Sequence, residues 1–158
     1  MPENQNMQKT SDNEAMLQEI VQNTEMGKNT LDELMGLTYD QKLKDEMMRQ
    51  KNEYRRLNQQ AHTALDAIGA QAKGQSAAAR MSVSMGIRTR TMMDKSTRNL
   101  ATMLAEGSGQ GVLDCKRAER DYPEASPGAF KLCHELGAFQ SNAEETWSCL
   151  LYTSPSSR

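Results

Sequence analysis

The sequence has few aromatic residues and no long apolar run. It contains one Trp, two Phe and four Tyr in 158 residues. Val and Ile are also scarce, whereas Ala, Leu, Met, Glu, Lys, Gln and Arg, which favour helices, are plentiful. No apolar stretch approaches the length of about 20 residues that a membrane-spanning helix requires. We therefore expect an all-α, cytoplasmic protein without membrane association.

The chain also lacks a dominant charge and a cysteine framework. It carries 19 Lys and Arg residues against 21 Asp and Glu residues, for a net charge of −2. No field of one sign therefore directs the whole molecule to nucleic acid or membranes. Cys115, Cys133 and Cys149 form no Cys-x-x-Cys pair, which favours thiols over disulfides. Twelve methionines predict a core filled largely by flexible side chains.

Four stretches carry apolar residues at the spacing of one helix face. They predict helices at about 12–37, 40–68, 77–121 and 127–148. Residues that can cap a helix precede three of them, namely Ser11 or Asp12, Asp40 and Ser126. With their stripes facing inward, the helices predict an antiparallel up-and-down four-helix bundle.

Three segments are expected to lie outside these helices. Residues 1–10 form a polar leader with too few apolar side chains to fold alone. The sequence GAQAKGQS at 69–76 is typical of a loop. The last segment, CLLYTSPSSR at 149–158, resembles the translation of a transposase sequencing adapter, CLLYTSPSPRD. We expect the native sequence to diverge near Cys149, so that residues 11–148 form the bundle.

The longest continuous stretch with apolar and small residues at helical spacing, 92–112, includes the glycine-rich sequence GSGQG. A phosphate-binding loop would need a Gly-Lys-Ser/Thr ending and a preceding strand, and this segment has neither. Small residues on a helix face instead let a neighbouring helix approach closely. The sequence predicts close helix packing at Gly27, Gly107 and Gly111.

No set of catalytic residues or metal ligands converges in this pattern. A di-iron or di-manganese bundle needs inward-facing carboxylates and Glu-x-x-His on two helices, and that motif does not occur here. His62 and His134 lie beside the apolar stripes instead of on them. We predict no catalytic residue and no cofactor, with a degenerate metal site using Glu25 and Glu53 as the alternative.

A basic flank marks the first half of the third predicted helix. It could contact nucleic acid or an acidic partner through charge. The chain nevertheless has a pI near 5.7 and no aromatic platform for stacking bases, which disfavours nucleic acid. The residues of this candidate contact face are Arg80, Arg88, Arg90, Lys95 and Arg98.

Several motifs together resemble a known group of proteins. They are MMDKSTRNLATMLAEGSGQGVLD at 92–114, the DYP that follows, Gln140-x-x-x-Glu144-Glu145, Asn23-x-x-Met26-Gly27 and the region around Tyr54. In these the chain is similar to short ferritin-like bundle proteins of anaerobic Gram-positive bacteria. The resemblance implies a ferritin-like four-helix fold and kinship with spore-coat-type bundles. The ligands of metal-binding ferritins are missing, so it implies no iron or peroxide chemistry.

The leading hypothesis from the sequence is therefore a non-enzymatic bundle that works through association. It would act as a homodimer or as a component of a cell or spore structure. Metal binding by a degenerate ferritin-like site is the first alternative, and binding of nucleic acid or an acidic partner through the basic flank is the second. The sequence identifies no specific protein partner.

Overall fold

The computed structural model describes residues 10–153, with side chains as far as residue 151. In this part of the chain the fold is all-α, with five helices and no strand. The predicted leader lies outside the described residues except for Thr10. None of the described helices combines the length and apolar character needed to cross a bilayer. The helices are α1 (Asp12–Met35), α2 (Gln41–Ala67), α3 (Ala77–Thr91), α4 (Thr97–Asp121) and α5 (Pro127–Thr153).

Helices α1, α2, α3 and α5 begin where the sequence predicts, and three of them have the cap residue that the sequence indicates. Ser11, Asp40 and Ser126 precede α1, α2 and α5, and the side-chain oxygen of each accepts a hydrogen bond from the backbone N–H three residues ahead, at 3.1 to 3.2 Å. Pro127 then occupies the first position of α5, where its missing N–H would have no partner within the helix. Local capping therefore fixes the start of these helices.

The single helix predicted at 77–121 is wrong, because the chain forms α3 and α4 separated by residues 92–96. In this break, Asp94 Oδ1 accepts a hydrogen bond from the backbone N–H of Ser96 at 2.9 Å. Ser96 Oγ in turn accepts one from the backbone N–H of Asn99, at 3.2 Å. Short polar side chains that satisfy the backbone locally compete with a continuous helix.

The core face predicted for this region is also wrong in α3. Helical spacing in this segment predicts Met81 and Met85 on the core face, but their side chains are 65% and 63% exposed. Met92, in the break, is 75% exposed. The buried residues of α3 are Ile87 and Thr91 instead. This helix therefore lies against the rest of the fold along a narrow stripe.

Helices α1 and α2 pack antiparallel. Asn58 Nδ2 donates a hydrogen bond to Thr24 Oγ1 at 2.9 Å. Two turns farther along α1, Asp32 forms an ion pair with Lys51. A later residue of α1 thus contacts an earlier residue of α2, as antiparallel packing requires.

Helices α4 and α5 are antiparallel as well, since Gly111 lies against Gln140 and Gly109 lies against Glu144. Both α2 and α4 begin at the same end of the molecule, because Thr97 Oγ1 donates a hydrogen bond to Asp40 Oδ2 at 2.9 Å. These two helices consequently run in the same direction, and the predicted up-and-down order is wrong.

Helix α3 accounts for this order, because it carries the chain from one end of the molecule to the other. The backbone N–H of Gln75, just before α3, donates to Glu25 Oε2 at 2.6 Å. Farther along, Ser84 Oγ donates to Glu33 Oε1 at 2.9 Å. A later residue of α3 thus contacts a later residue of α1, so α3 runs parallel to α1.

Most apolar residues at helical spacing in α1, α2 and α5 form the core. Ile68, which the sequence places in the second helix, directly follows α2 and is 47% exposed. The segment predicted to be an added tail continues α5 as far as Thr153, and Leu150 packs against the core. Residues 154–158 of that segment lie outside the described range. The fully buried larger side chains include Leu17, Ile20, Leu57, Leu65, Leu100, Leu136 and Trp147.

Candidate ligand-binding cavity

A network of neutral polar side chains occupies the centre of the helices. The side-chain amides of Asn23 and Gln140 bind each other, with Gln140 Nε2 donating to Asn23 Oδ1 at 2.7 Å and Asn23 Nδ2 donating to Gln140 Oε1 at 3.3 Å. Gln140 Nε2 also donates to the hydroxyl of Tyr54 at 3.1 Å. Asn23 Nδ2 reaches the carbonyl of Gly111 at 3.3 Å. The network therefore joins α1, α2, α4 and α5.

Tyr54 is held in place on both sides. Its ring lies directly against Gly27 of α1, and it meets the ring of Phe139 edge-on, with centroids 5.0 Å apart and an interplanar angle of 85°. Burial raises the pKa of Tyr54 to about 12, while the hydrogen bond from Gln140 acts in the opposite direction. The phenol is therefore neutral at physiological pH and cannot act there as a charged ligand.

Two buried thiols adjoin the network. Cys115 Sγ lies 3.6 Å from Asn23 Nδ2 and 3.7 Å from Gln140 Oε1, and Cys133 Sγ donates to the carbonyl of Cys115 at 3.5 Å. The neighbouring Cys133 thiol and burial raise the pKa of Cys115. A buried thiol that is hard to deprotonate packs as a small apolar group instead of acting as a nucleophile.

A cavity of about 510 Å³ lies beside the network and is partly open to solvent. Its walls come from all five helices, and its inner surface is mostly apolar, with Leu31, Ile87, Met103 and Leu104 among the lining side chains. Pockets of 300–1,000 Å³ with apolar walls and a few polar groups are typical of small-molecule sites. The cavity thus has the size and character of such a site.

Two exposed glycines lie at the edge of this cavity. Gly86 and Gly107 both line it, and a Cβ added at either would meet nothing within 4 Å. The close helix packing predicted at Gly107 is therefore wrong. At Gly27 and Gly111, by contrast, an added Cβ would overlap the Tyr54 ring and the Gln140 amide, respectively.

The indole of Trp147 gives the cavity an unusual polar group. Trp147 lines the cavity and is 0% exposed. Its Nε1–H is the one buried side-chain N or O group without a hydrogen-bond partner among the described residues. An unpaired buried donor costs about 1–3 kcal/mol.

The sequence-predicted metal residues do not come together. Glu25 accepts a hydrogen bond from the loop before α3, whereas Glu53 is paired with Arg56 on α2. His134 is exposed and lies 3.7 Å from Glu119. Among the described residues, no group of three or more His, Cys, Asp or Glu side chains is arranged to hold a metal ion.

The predicted basic face is divided between α3, the break that follows it and α4. Its five side chains are exposed. Arg90 pairs with Glu106 of α4 at the edge of the cavity, while Arg80 and Arg88 line a separate groove of about 830 Å³ between α1 and α3. Its charge is therefore partly neutralised within the chain.

Several residues of the site were missed by sequence reasoning. In the sequence, Asn23 and Gln140 stand out only in the motifs of the resemblance, and nothing marks the indole N–H of Trp147. Gln140 and Gln50 are both buried at positions where an apolar residue would be expected. Amides on an apolar stripe were the signal that could have revealed a polar centre.

Comparison with known protein families, with curated protein sequences and with solved structures finds no match for this chain. The site is therefore interpreted from its own geometry.

The two kinds of glycine predict opposite effects of the same substitution. Gly27→Ala should lower the free energy of unfolding by about 1–3 kcal/mol, because its methyl group would collide with Tyr54. Gly107→Ala should raise it by up to about 1 kcal/mol, because alanine favours the helix and the site has room. Urea unfolding of both variants measures the difference. Equal effects would contradict this description of the cavity.

Proposed function

We propose that this chain is a non-enzymatic, ferritin-like helical bundle that binds a small molecule in the cavity beside Trp147. The order of the helices supports the ferritin-like part of the proposal. Four long helices form antiparallel neighbours, and one crossover carries the chain between the two pairs, as in ferritin-like folds. Here the crossover contains α3.

The neutral centre supports binding over catalysis. In metal-binding bundles of this type, inward carboxylates and histidines hold the ions. Here the corresponding central contacts are between the amides of Asn23 and Gln140 and the hydroxyl of Tyr54. These groups are neutral and satisfy one another, so they offer neither a charge for an ion nor a base for proton transfer.

The cavity itself carries the ligand-binding proposal. It has a drug-sized volume and mostly apolar walls, and Trp147, whose Nε1–H is unpaired, is among its lining residues. An empty cavity lowers the stability of the folded chain. Its presence is therefore better explained by ligand binding than by stability. The ligand that fits is largely apolar and presents a hydrogen-bond acceptor to the indole.

The sole tryptophan provides a direct test with the neutral fluorescent probe N-phenyl-1-naphthylamine. We expect one equivalent to bind, with energy transfer from Trp147 to the probe. Gly107→Leu should abolish binding by filling the cavity, whereas Thr102→Leu, which adds the same side chain to α4 away from the cavity lining, should not. Circular dichroism checks that both variants stay folded. Binding that survives Gly107→Leu would refute the proposed site.

A second candidate function is self-association through the groove between α1 and α3. Met81 and Met85 are largely exposed beside this groove. Glu33 on the α1 side and Arg80 and Arg88 on the α3 side give its walls opposite charges. In a two-fold dimer the same patch faces itself, so each wall can meet its opposite charge.

The methionines make this second candidate testable by light scattering. We expect the wild-type chain to dimerise and the Met81→Ser/Met85→Ser variant to remain monomeric, because the contact would lose its apolar centre. Met48→Ser, which replaces an exposed methionine on α2, should leave the dimer intact. A wild-type chain that stays monomeric at high concentration would exclude the dimer without affecting the cavity proposal.

A further inference from the structure

The two ends of the cavity differ in polarity, and this difference identifies the kind of molecule it fits. On α1 the lining extends from Glu19 to Leu31, and on α4 from Met103 to Asp114. At 1.5 Å per helical residue these segments are about 16–18 Å long. The cavity is thus elongated along the helices instead of being a round pocket.

One end is polar and acidic. Glu19 and Gln22 of α1 lie there with Gln110 and Asp114 of α4. The other end is more apolar, with Leu31 of α1, apolar residues of α3 and α4 and the indole of α5. Its polar lining residues are Thr30, Gln50 and the paired Arg90 and Glu106. An elongated molecule would therefore have its polar head at the Glu19 end and its apolar part toward Leu31.

The charge of the head follows from the acidic end. The charged lining residues are Glu19, Glu106, Asp114 and Arg90, and Arg90 is already paired with Glu106. Asp114 accepts a hydrogen bond from Gln110 at 3.1 Å and lies 3.5 Å from the guanidinium of Arg117.

Glu19, in contrast, faces repulsion. Partial burial and the nearby charge of Asp114 raise its pKa, Arg117 acts against this rise, and Asp121 adds to it. A cationic head would relieve the repulsion between the two carboxylates, whereas an anionic head would add a third negative charge.

The acceptor that Trp147 lacks sets a second requirement. Gly109 of α4 lies against Glu144 of α5, and the two helices are antiparallel. Trp147, one turn beyond Glu144, is therefore level with a position on α4 about nine residues before Asp114. This separation corresponds to roughly 14 Å along the helix axis. The ligand would therefore carry its hydrogen-bond acceptor far from its charged head.

We infer that the cavity binds an amphiphilic amine, with the ammonium group at Glu19 and Asp114 and an ether or carbonyl oxygen near Trp147. This inference rests on the proposed function, because it requires the cavity to be a binding site. It adds the charge of the ligand and the direction in which the ligand lies.

Matched chains with different head groups test this inference. Dodecylamine and dodecanoate below their micelle concentrations, and dodecanol below its solubility limit, are titrated into the protein at low salt and followed by calorimetry. We expect the amine to bind roughly tenfold more tightly than the alcohol and the carboxylate to bind most weakly, with the difference shrinking as salt screens the charges. An ether-containing amine of equal length should bind more tightly still and perturb the fluorescence of Trp147.

Variants separate failure of this inference from failure of the proposed function. Glu19→Gln/Asp114→Asn should bring the affinities for amine and alcohol together, whereas Gly107→Leu should remove binding of every probe. Dodecanoate binding as tightly as dodecylamine, or an amine preference unchanged in the double variant, would overturn the inference while leaving the cavity as a site. If none of the probes binds, the proposed function fails as well.

Discussion

The reciprocal hydrogen bonds between Asn23 and Gln140 are the contact on which the arrangement of the helices depends. They join α1 to α5, while Tyr54 and the carbonyl of Gly111 bring in α2 and α4. Apolar side chains can slide past one another at little cost, but a buried amide must find its partner or lose about 1–3 kcal/mol. The network therefore selects one register of the four long helices.

The glycines follow from this network. Tyr54 can reach Gln140 only because Gly27 leaves room for its ring, and Gln140 can reach Asn23 only because Gly111 has no side chain. Gly86 and Gly107, in contrast, are exposed at the edge of the cavity, and an added Cβ would meet nothing there. Glycine thus permits close packing at the centre and leaves the edge of the cavity without side chains.

Local features of the fold could be predicted from the sequence. Ser11, Asp40 and Ser126 cap helices through hydrogen bonds to residues only three positions away. Helical spacing of apolar residues likewise predicts the core faces of α1, α2 and α5. The break at 92–96 was missed because it contains neither Gly nor Pro and is made by side-chain hydrogen bonds of Asp94 and Ser96.

The site was harder to predict than the helices, because it depends on contacts between distant parts of the chain. Asn23 and Gln140 lie 117 positions apart, and no local pattern indicates that they meet. The direction of α3 also depends on contacts between distant residues, because Glu25 and Glu33 of α1 bind the segment that contains it. Without that direction, the sequence could not show which helices enclose the cavity.

A double-mutant cycle between Asn23 and Gln140 tests the dependence of the fold on this network most directly. Asn23→Leu, Gln140→Leu and the double variant are unfolded in urea, with Asn29→Leu combined with Gln140→Leu as a distant control pair. We expect the double variant to be more stable than the sum of the single effects predicts, by about 1 kcal/mol or more, and the control pair to be additive. Additive effects at Asn23 and Gln140 would show that the two amides do not act together and would contradict this account.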